Sequence, residues 1–164
     1  MPVLQPTDLE RALQLRAEVP EAVVVAGGTD VMPARLRGER DGPLLDLSRV
    51  RELREPQEGL GAGTTYTELA EGEGLLALAA RTVASRQIRN RATVGGTIAV
   101  ADPSSDVLTA LLCLDAVVEL RSASGERTVA LEDFLTGPYE CDLRAGERIV
   151  AVAVRGVDGP AAYA

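Results

Sequence analysis

Three residue types are missing from this sequence: its 164 residues contain no Lys, no His and no Trp. Without Lys there is no Walker-type phosphate loop and no Schiff base, and without His there is no catalytic triad, imidazole proton relay or imidazole metal site. The side chains are therefore poorly suited to acid–base or nucleophilic chemistry. The sequence predicts a binding function, with no catalytic residue and no metal site.

Aromatic residues and positive charge are also scarce. The chain has three Tyr and one Phe, and its 17 Arg against 25 Asp and Glu give a net charge of −8. Nucleic-acid binding needs a basic face and aromatic rings that stack on bases. This composition argues against a nucleic-acid partner and favours a small ligand or another protein.

Long apolar runs and paired cysteines are absent too. No run approaches the roughly 18 residues that span a bilayer, and the first ten residues lack a signal-peptide pattern. Cys113 and Cys141 lie far apart without a CxxC spacing, which predicts two reduced thiols. With 46% hydrophobic and 26% charged residues, the composition is that of one globular domain. We expect no membrane partner and a cytoplasmic location.

The first 50 residues have a strand–helix–strand pattern. Thr7 and Glu10 have the spacing of a capping box, and an apolar, β-branched run ends at a Gly-Gly. The predicted elements are a helix over 8–18, a strand over 22–26, a short helix over 29–37 stopped by Gly38, and a strand over 43–47. Connections this short predict a small parallel β–α–β unit.

In the rest of the chain, the sequence patterns that indicate helices and strands are shorter. The predicted elements are helices over 66–71 and 75–85, a strand over 97–100, a helix that opens at 103–106 and reaches 112, and strands over 116–121, 127–130 and 149–154. Residues 122–125 separate two of these strands, which is typical of a hairpin with a four-residue loop.

Two local sequences, residues 25–29 and 93–97, share one design: β-branched residues precede Gly-Gly, and a Thr follows. Paired glycines expose backbone N–H groups, so that amides and a Thr hydroxyl can hold a phosphate, and a helix N-terminus after Thr29 would add its dipole. Two such turns facing each other would clamp a pyrophosphate. Each turn on its own is more often only a tight turn.

Two further patterns are weaker. Gly61-Ala62-Gly63 is similar to the start of the dinucleotide-binding G-x-G-x-x-G, but Tyr66 stands in place of the third glycine, and we interpret the segment as a turn. Asp102 and Asp106 flank Pro-Ser-Ser, where helix capping is a better interpretation than a metal site.

Residues 83–98 (VASRQIRNRATVGGTI), followed by 102–108 (DPSSDVL), resemble the flavin-domain signature of the molybdenum hydroxylases, the family of xanthine dehydrogenase and carbon monoxide dehydrogenase. Segments 24–30, 61–65, 131–134 and 146–150 occur in the family's order, so the resemblance covers nearly the whole chain. It implies an α+β, PCMH-type FAD-binding fold. An N-terminal β-α-β subdomain would cover 1–55, and a mixed or antiparallel sheet subdomain with flanking helices would cover 56–164.

The resemblance also implies which residues contact FAD. Val25, Ala26, Gly27, Gly28, Thr29, Asp30 and Val31 in the first loop, and Thr93, Gly95, Gly96 and Thr97 in the second, would hold the pyrophosphate. Asp106 would contact FAD, through a ribose hydroxyl, and Val83 and Ile149 would line the flavin. The implied function is electron transfer from iron–sulfur clusters through FAD to NAD or another acceptor. The implied partners are a molybdopterin-binding large subunit and an iron–sulfur small subunit.

Two departures from the family keep alternatives open. Thr97 stands where the family usually has Asn, and from the resemblance we expect the C-terminal domain of the family to be missing here. The alternatives are a scaffold that kept the fold without stable FAD binding, and a module for a smaller nucleotide such as FMN. The basic cluster Arg86, Arg89 and Arg91 could face a partner subunit or pair within the chain.

Overall fold

The structure, a computed structural model, describes residues 2–56 and 58–154 and has an α+β fold. The helices are α1 (Leu9–Glu18), α2 (Val31–Leu36), α3 (Tyr66–Glu71), α4 (Gly74–Thr82), α5 (Arg86–Arg89), α6 (Val94–Val100), α7 (Asp106–Cys113) and α8 (Leu131–Phe134), with a 3-10 helix at Arg51–Leu53. The strands are β1 (Val3–Leu4), β2 (Val23–Val25), β3 (Leu44–Asp46), β4 (Leu60–Gly61), β5 (Val117–Ser122), β6 (Gly125–Ala130), β7 (Leu135–Gly137), β8 (Glu140–Cys141) and β9 (Arg148–Ala153). None of the helices in these two ranges is long and apolar enough to cross a membrane.

The first sheet is a three-stranded parallel sheet in the order β1-β3-β2. Leu44 of β3 pairs with Val3 on one side and with Val23 on the other, and α1 packs on β3. The predicted parallel β–α–β unit is therefore confirmed. The sequence pattern does not predict β1, because two residues are too few to show a strand periodicity.

The start of α1 differs from the prediction. The N-cap is Asp8, whose carboxylate accepts a hydrogen bond from the N–H of Arg11 at 2.8 Å. The predicted capping box of Thr7 and Glu10 is wrong, because it is Asp8 that has the extended backbone an N-cap requires. A capping box does open α3, where Thr65 and Glu68 cap each other.

The second sheet is antiparallel, in the order β4-β9-β5-β6. The hairpin of β5 and β6 is confirmed, with a shorter loop than predicted, because Ser122 pairs with Gly125. β9 lies between β4 and β5, and five of its six residues are buried. Phe134 of α8 and Ile98 of α6 are fully buried in the same core as Val118 and Val152. The boundary between subdomains at residues 55 and 56 stays a prediction.

The strand predicted over 97–100 is wrong, because these residues belong to α6. The Thr93 side chain caps the helix by accepting a hydrogen bond from the N–H of Gly96, and Ala101 ends it in a left-handed conformation. Thr97, Ile98 and Val100 are β-branched and favour a strand, but the N-cap and the burial of one helical face outweigh that preference. The second diglycine therefore lies in the first turn of a helix.

Candidate functional site

The first diglycine follows β2 in a loop that leads into α2. Gly28 has a φ of +78°, a left-handed backbone that suits glycine. Among the described residues, the five N–H groups from Ala26 to Asp30 have no hydrogen-bond acceptor, and the Thr29 hydroxyl donates to the Asp30 carboxylate at 3.0 Å. A run of free amides in a turn is suited to binding an anion.

The two diglycine loops are brought together by direct backbone contact. A Cβ placed on Gly27 would lie 2.0 Å from the carbonyl oxygen of Arg91, so only glycine allows this approach. Arg91 Nε also donates a hydrogen bond to the Gly27 carbonyl at 3.1 Å. The first diglycine loop therefore contacts the residues just before the second diglycine.

The amides of the second loop have protein acceptors, unlike those of the first. Val94 N–H donates to Thr64 O at 3.0 Å and Gly95 N–H to Ala62 O at 2.8 Å. Gly96 N–H donates to Thr93 Oγ1 at 3.2 Å, and the Thr97 N–H donates to the Thr93 carbonyl at 3.0 Å. These four N–H groups hold the start of α6 in place, so the free amides of the site belong to the first loop.

Gly95 is a packing glycine. A Cβ there would lie 2.7 Å from the Ala62 Cβ and 3.0 Å from the Ala62 carbonyl oxygen. Ala62 and Gly63 form a turn, as predicted, directly after Gly61, which ends β4. A Cβ on Gly61 would in turn lie 2.2 Å from the Leu53 carbonyl oxygen, so this Gly-x-Gly serves close packing between backbones.

Asp106 is the first residue of α7 and is exposed. Ser105 caps the helix by accepting a hydrogen bond from Leu108 N–H at 3.3 Å, and the Asp106 carboxylate has no partner among the described residues. Asp102 differs, because its carboxylate accepts hydrogen bonds from the N–H and hydroxyl of Ser104, both at 2.8 Å. These bonds lower the pKa of Asp102. Of the two acids, Asp106 is the one free to accept from a ligand.

The remaining predicted residues, Val83 and Ile149, supply apolar surface. Val83 is half-buried at the end of α4, and its carbonyl accepts a hydrogen bond from Arg89 at 3.1 Å. Ile149 is buried in β9 opposite Leu120. Val83 can therefore contact a ligand with its apolar side chain, whereas burial leaves Ile149 little surface for such a contact.

The sequence does not show that Arg91 and Ala62 join the loops. It places Arg91 only in the basic cluster of Arg86, Arg89 and Arg91, which predicts either a contact with a partner subunit or pairing within the chain. Arg89 donates to the carbonyls of Val83 and Ala84, and Arg91 donates to Gly27. These two arginines therefore bind backbone carbonyls within the chain, and Ala62 carried no sequence signal.

The comparisons agree on one family. The family model described as "FAD binding domain in molybdopterin dehydrogenase" matches residues 1–154. The glyceraldehyde dehydrogenase medium chain of Sulfolobus acidocaldarius is 35% identical over 147 residues, which are 82% of this chain and 52% of the relative. The xanthine dehydrogenase FAD-binding subunit of Escherichia coli O157:H7 is 36% identical over 156 residues, which are 87% of this chain and 53% of the relative. The chain thus spans about half the length of the curated relatives it matches.

A solved structure resembles the whole fold. Carbon monoxide dehydrogenase from Hydrogenophaga pseudoflava, in a form that lacks the Mo-pyranopterin moiety of its molybdenum cofactor, superimposes with a TM-score of 0.89 at 31% identity. The match covers 97% of this chain and 60% of that chain.

Proposed function

Because the chain belongs to the family of FAD-binding domains of molybdopterin dehydrogenases, we propose that it is the electron-transfer module of a molybdenum hydroxylase complex. In this role it binds FAD, receives electrons from iron–sulfur clusters and passes them to an acceptor. Its partners are a molybdopterin-binding large subunit and an iron–sulfur small subunit. The names of the relatives, a medium chain and an FAD-binding subunit, support a place in a multi-subunit oxidoreductase.

The observation that carries this proposal is the row of free amides in the first loop. Five consecutive N–H groups, from Ala26 to Asp30, have no acceptor in the described part of the chain. The pyrophosphate of FAD supplies the oxygen acceptors that such a row needs. The loop therefore fits the cofactor without any Lys, which the chain does not have.

The second loop acts as a support in this proposal. Thr93, Gly95, Gly96 and Thr97 use their bonds to fix α6, and the contact of Gly27 with Arg91 sets the position of the first loop against it. A preorganised loop loses less conformational entropy when a ligand binds. The role of residues 93–97 is to hold the first loop in its binding geometry.

Asp106 provides the proposed contact to the ribose. Its carboxylate is exposed, and it has no partner among the residues that the structure describes. A carboxylate accepts hydrogen bonds from hydroxyl groups, as a ribose contact requires. Val83 and Ile149 would give the flavin ring an apolar border.

The protein itself contributes binding and orientation. FAD, when bound, supplies the capacity to take up and release electrons. The absence of His and Lys from the chain is therefore compatible with an oxidoreductase function, because no side-chain acid or base is needed.

The test is direct titration of the purified chain with FAD. We expect absorbance near 450 nm in the complex and quenched flavin fluorescence. Asp106→Asn should weaken FAD binding about tenfold, a loss of roughly 1.4 kcal/mol. Asp102→Asn is the matched control, because that carboxylate is already bonded to Ser104, and it should leave the Kd for FAD within about twofold.

Two results would contradict the proposal. One is a chain that stays colourless and leaves flavin fluorescence unchanged at tens of micromolar FAD. The other is equal loss of FAD affinity in Asp106→Asn and Asp102→Asn, which would mean that Asp106 makes no specific contact. Co-purification with a molybdenum-containing and an iron–sulfur-containing subunit tests the partners separately.

A further inference from the structure

The proposed FAD contacts contain no positively charged side chain. Residues 25–31 and 93–97 include neither Lys nor Arg, and the proposed contacts include two carboxylates, those of Asp30 and Asp106. The pyrophosphate of FAD brings further negative charge to a chain whose net charge is already −8. Backbone amides offer only partial charges, and like charges at close range repel each other. A cation beside the first loop would therefore strengthen binding.

Arg91 is a cation in direct contact with the first loop. Its Nε donates a hydrogen bond to the Gly27 carbonyl at 3.1 Å. The two backbones also touch, because a Cβ on Gly27 would lie 2.0 Å from the Arg91 carbonyl oxygen. Gly27 lies within the row of free amides from Ala26 to Asp30. One N–H group thus anchors the Arg91 guanidinium to the loop that is proposed to hold the pyrophosphate.

The rest of the Arg91 guanidinium group is unused. Within residues 2–56 and 58–154, its Nη1 and Nη2 have no hydrogen-bond acceptor, and no carboxylate forms an ion pair with it. The Arg91 side chain is exposed. A ligand can therefore reach these N–H groups from solvent, and they are donors of the kind that phosphate oxygens accept from.

The other two arginines of the basic cluster are placed differently. Arg89 Nη1 donates to the carbonyls of Val83 at 3.1 Å and Ala84 at 2.7 Å. Arg86, the first residue of α5, is exposed and makes no hydrogen bond to either diglycine loop in the part of the chain that the structure describes. Arg86 therefore carries the same charge as Arg91, five positions away, without the contact.

We propose that Arg91 binds the pyrophosphate of FAD together with the amides of the first loop. Its Nε stays on the Gly27 carbonyl, and its Nη groups donate to phosphate oxygens. The guanidinium then supplies the full positive charge that the other proposed contacts lack, in a planar form suited to phosphate. This inference rests on the proposed function, because it adds a residue to the same site.

The experiment titrates wild type, Arg91→Gln, Arg91→Lys and Arg86→Gln with FAD by flavin fluorescence and with ADP by calorimetry. ADP carries the pyrophosphate without the flavin. Arg91→Gln should weaken both ligands about tenfold, because it removes the charge while its amide can still donate to Gly27. Arg86→Gln makes the same change in net charge and should keep both Kd values within about twofold of wild type.

Salt separates a charge contact from a purely structural role of Arg91. Between about 0.1 M and about 1 M NaCl, the Debye length falls from about 10 Å to about 3 Å. The tenfold gap between wild type and Arg91→Gln should shrink to less than about threefold, because Arg91 is exposed to the screening ions. Arg91→Lys keeps the charge and should bind both ligands more tightly than Arg91→Gln.

Four results would overturn the inference. They are equal Kd values for wild type and Arg91→Gln, equal losses in Arg91→Gln and Arg86→Gln, a gap that stays tenfold at high salt, and an Arg91→Lys variant that binds no better than Arg91→Gln. A wild type that binds ADP but not FAD contradicts the proposed function alone, and the ADP titrations then decide the role of Arg91. A wild type that binds neither ligand overturns both.

Discussion

The hydroxyl oxygen of Tyr66 lies 2.6 Å from Thr97 Oγ1 and joins α3 to α6. Thr97 Oγ1 also lies 3.0 Å from the Thr93 carbonyl, which can only accept. The Thr97 hydroxyl therefore donates to Thr93, and the Tyr66 hydroxyl donates to Thr97. The Thr97 hydroxyl can donate only one hydrogen bond, and it donates that bond within the protein.

This hydrogen bond predicts a measurable coupling between the two side chains. Tyr66 is 5% exposed, so Thr97→Val leaves its hydroxyl buried without an acceptor. We expect a loss of about 1–2 kcal/mol in the free energy of unfolding for Thr97→Val, and a smaller loss for Tyr66→Phe. A double-mutant cycle by urea unfolding should give a coupling of at least about 0.5 kcal/mol, and additive losses would contradict the bond.

Gly95 should tolerate no side chain, because a Cβ would meet the Cβ and carbonyl oxygen of Ala62. We expect Gly95→Ala to lower the free energy of unfolding by about 2 kcal/mol, despite the better helix propensity of alanine. Ala99→Ser, on the exposed side of the same helix, is the control and should change it by less than about 0.5 kcal/mol. Equal stability of Gly95→Ala and Ala99→Ser would show that the contact with Ala62 is not tight.

Gly28 and Gly38 allow backbone strain to be separated from cofactor binding. Their φ angles are +78° and +76°, so alanine costs about 1–2 kcal/mol of unfolding free energy at either position. Only Gly28 lies in the loop with free amides. We expect Gly28→Ala to weaken FAD binding at least about tenfold in fluorescence titrations, and Gly38→Ala to leave the Kd nearly unchanged. If the two variants bound FAD with a similar Kd, the first loop would not be part of the cofactor site.

The pair of Arg127 and Glu147 predicts how stability depends on pH. Hydrogen bonds from Arg127 are the main cause of a lowered pKa at Glu147, which is buried. A lowered folded-state pKa means that the pair stabilises the protein above the ordinary pKa of a Glu. That stability is lost as the pH falls through the lower, folded-state value.

Glu147→Gln tests this expectation. At pH 7 it should lower the free energy of unfolding by about 2–4 kcal/mol, because it leaves the Arg127 cation without its bidentate partner. The difference from wild type should shrink as unfolding is measured at lower pH. Glu126→Gln removes an exposed partner of Arg121 and should cost less than about 1 kcal/mol at any pH. A pH-independent loss in Glu147→Gln would contradict an ionic role for Glu147.

Local signals predicted most of the fold. The β-branched run that contains β2, the Pro-Ser-Ser-Asp start of α7 and the hairpin of β5 and β6 each depend on neighbours in sequence. The start of α6 does not: its helix is held by bonds from Val94 to Thr64 and from Gly95 to Ala62, about thirty residues away. Propensity alone therefore favoured a strand where tertiary contacts impose a helix.

The candidate site likewise has one part that the sequence predicts and one part that depends on contacts between distant residues. Residue types predicted the first loop, because Gly-Gly and Thr after a strand can hold a phosphate, and its amides are free. Sequence could not show that the amides of the second loop are already used, since that depends on where Ala62 and Thr64 lie. It also could not show that Gly27 meets Arg91, a contact between residues 64 positions apart.

The place of β9 also sets an order for assembly of the chain. Val152 pairs with Leu60 on one side and with Val118 on the other, so β4 has no neighbour in its sheet until β9 exists. The parallel sheet, by contrast, is complete once β3 has been made. During synthesis on a ribosome, the N-terminal sheet can form early, whereas β4 stays unpaired until β9 is translated some ninety residues later. In that interval, the backbone edges of β4 and β5 are unpaired, and an unpaired strand edge is a template for pairing with another extended chain, so pairing of β9 covers both edges at once.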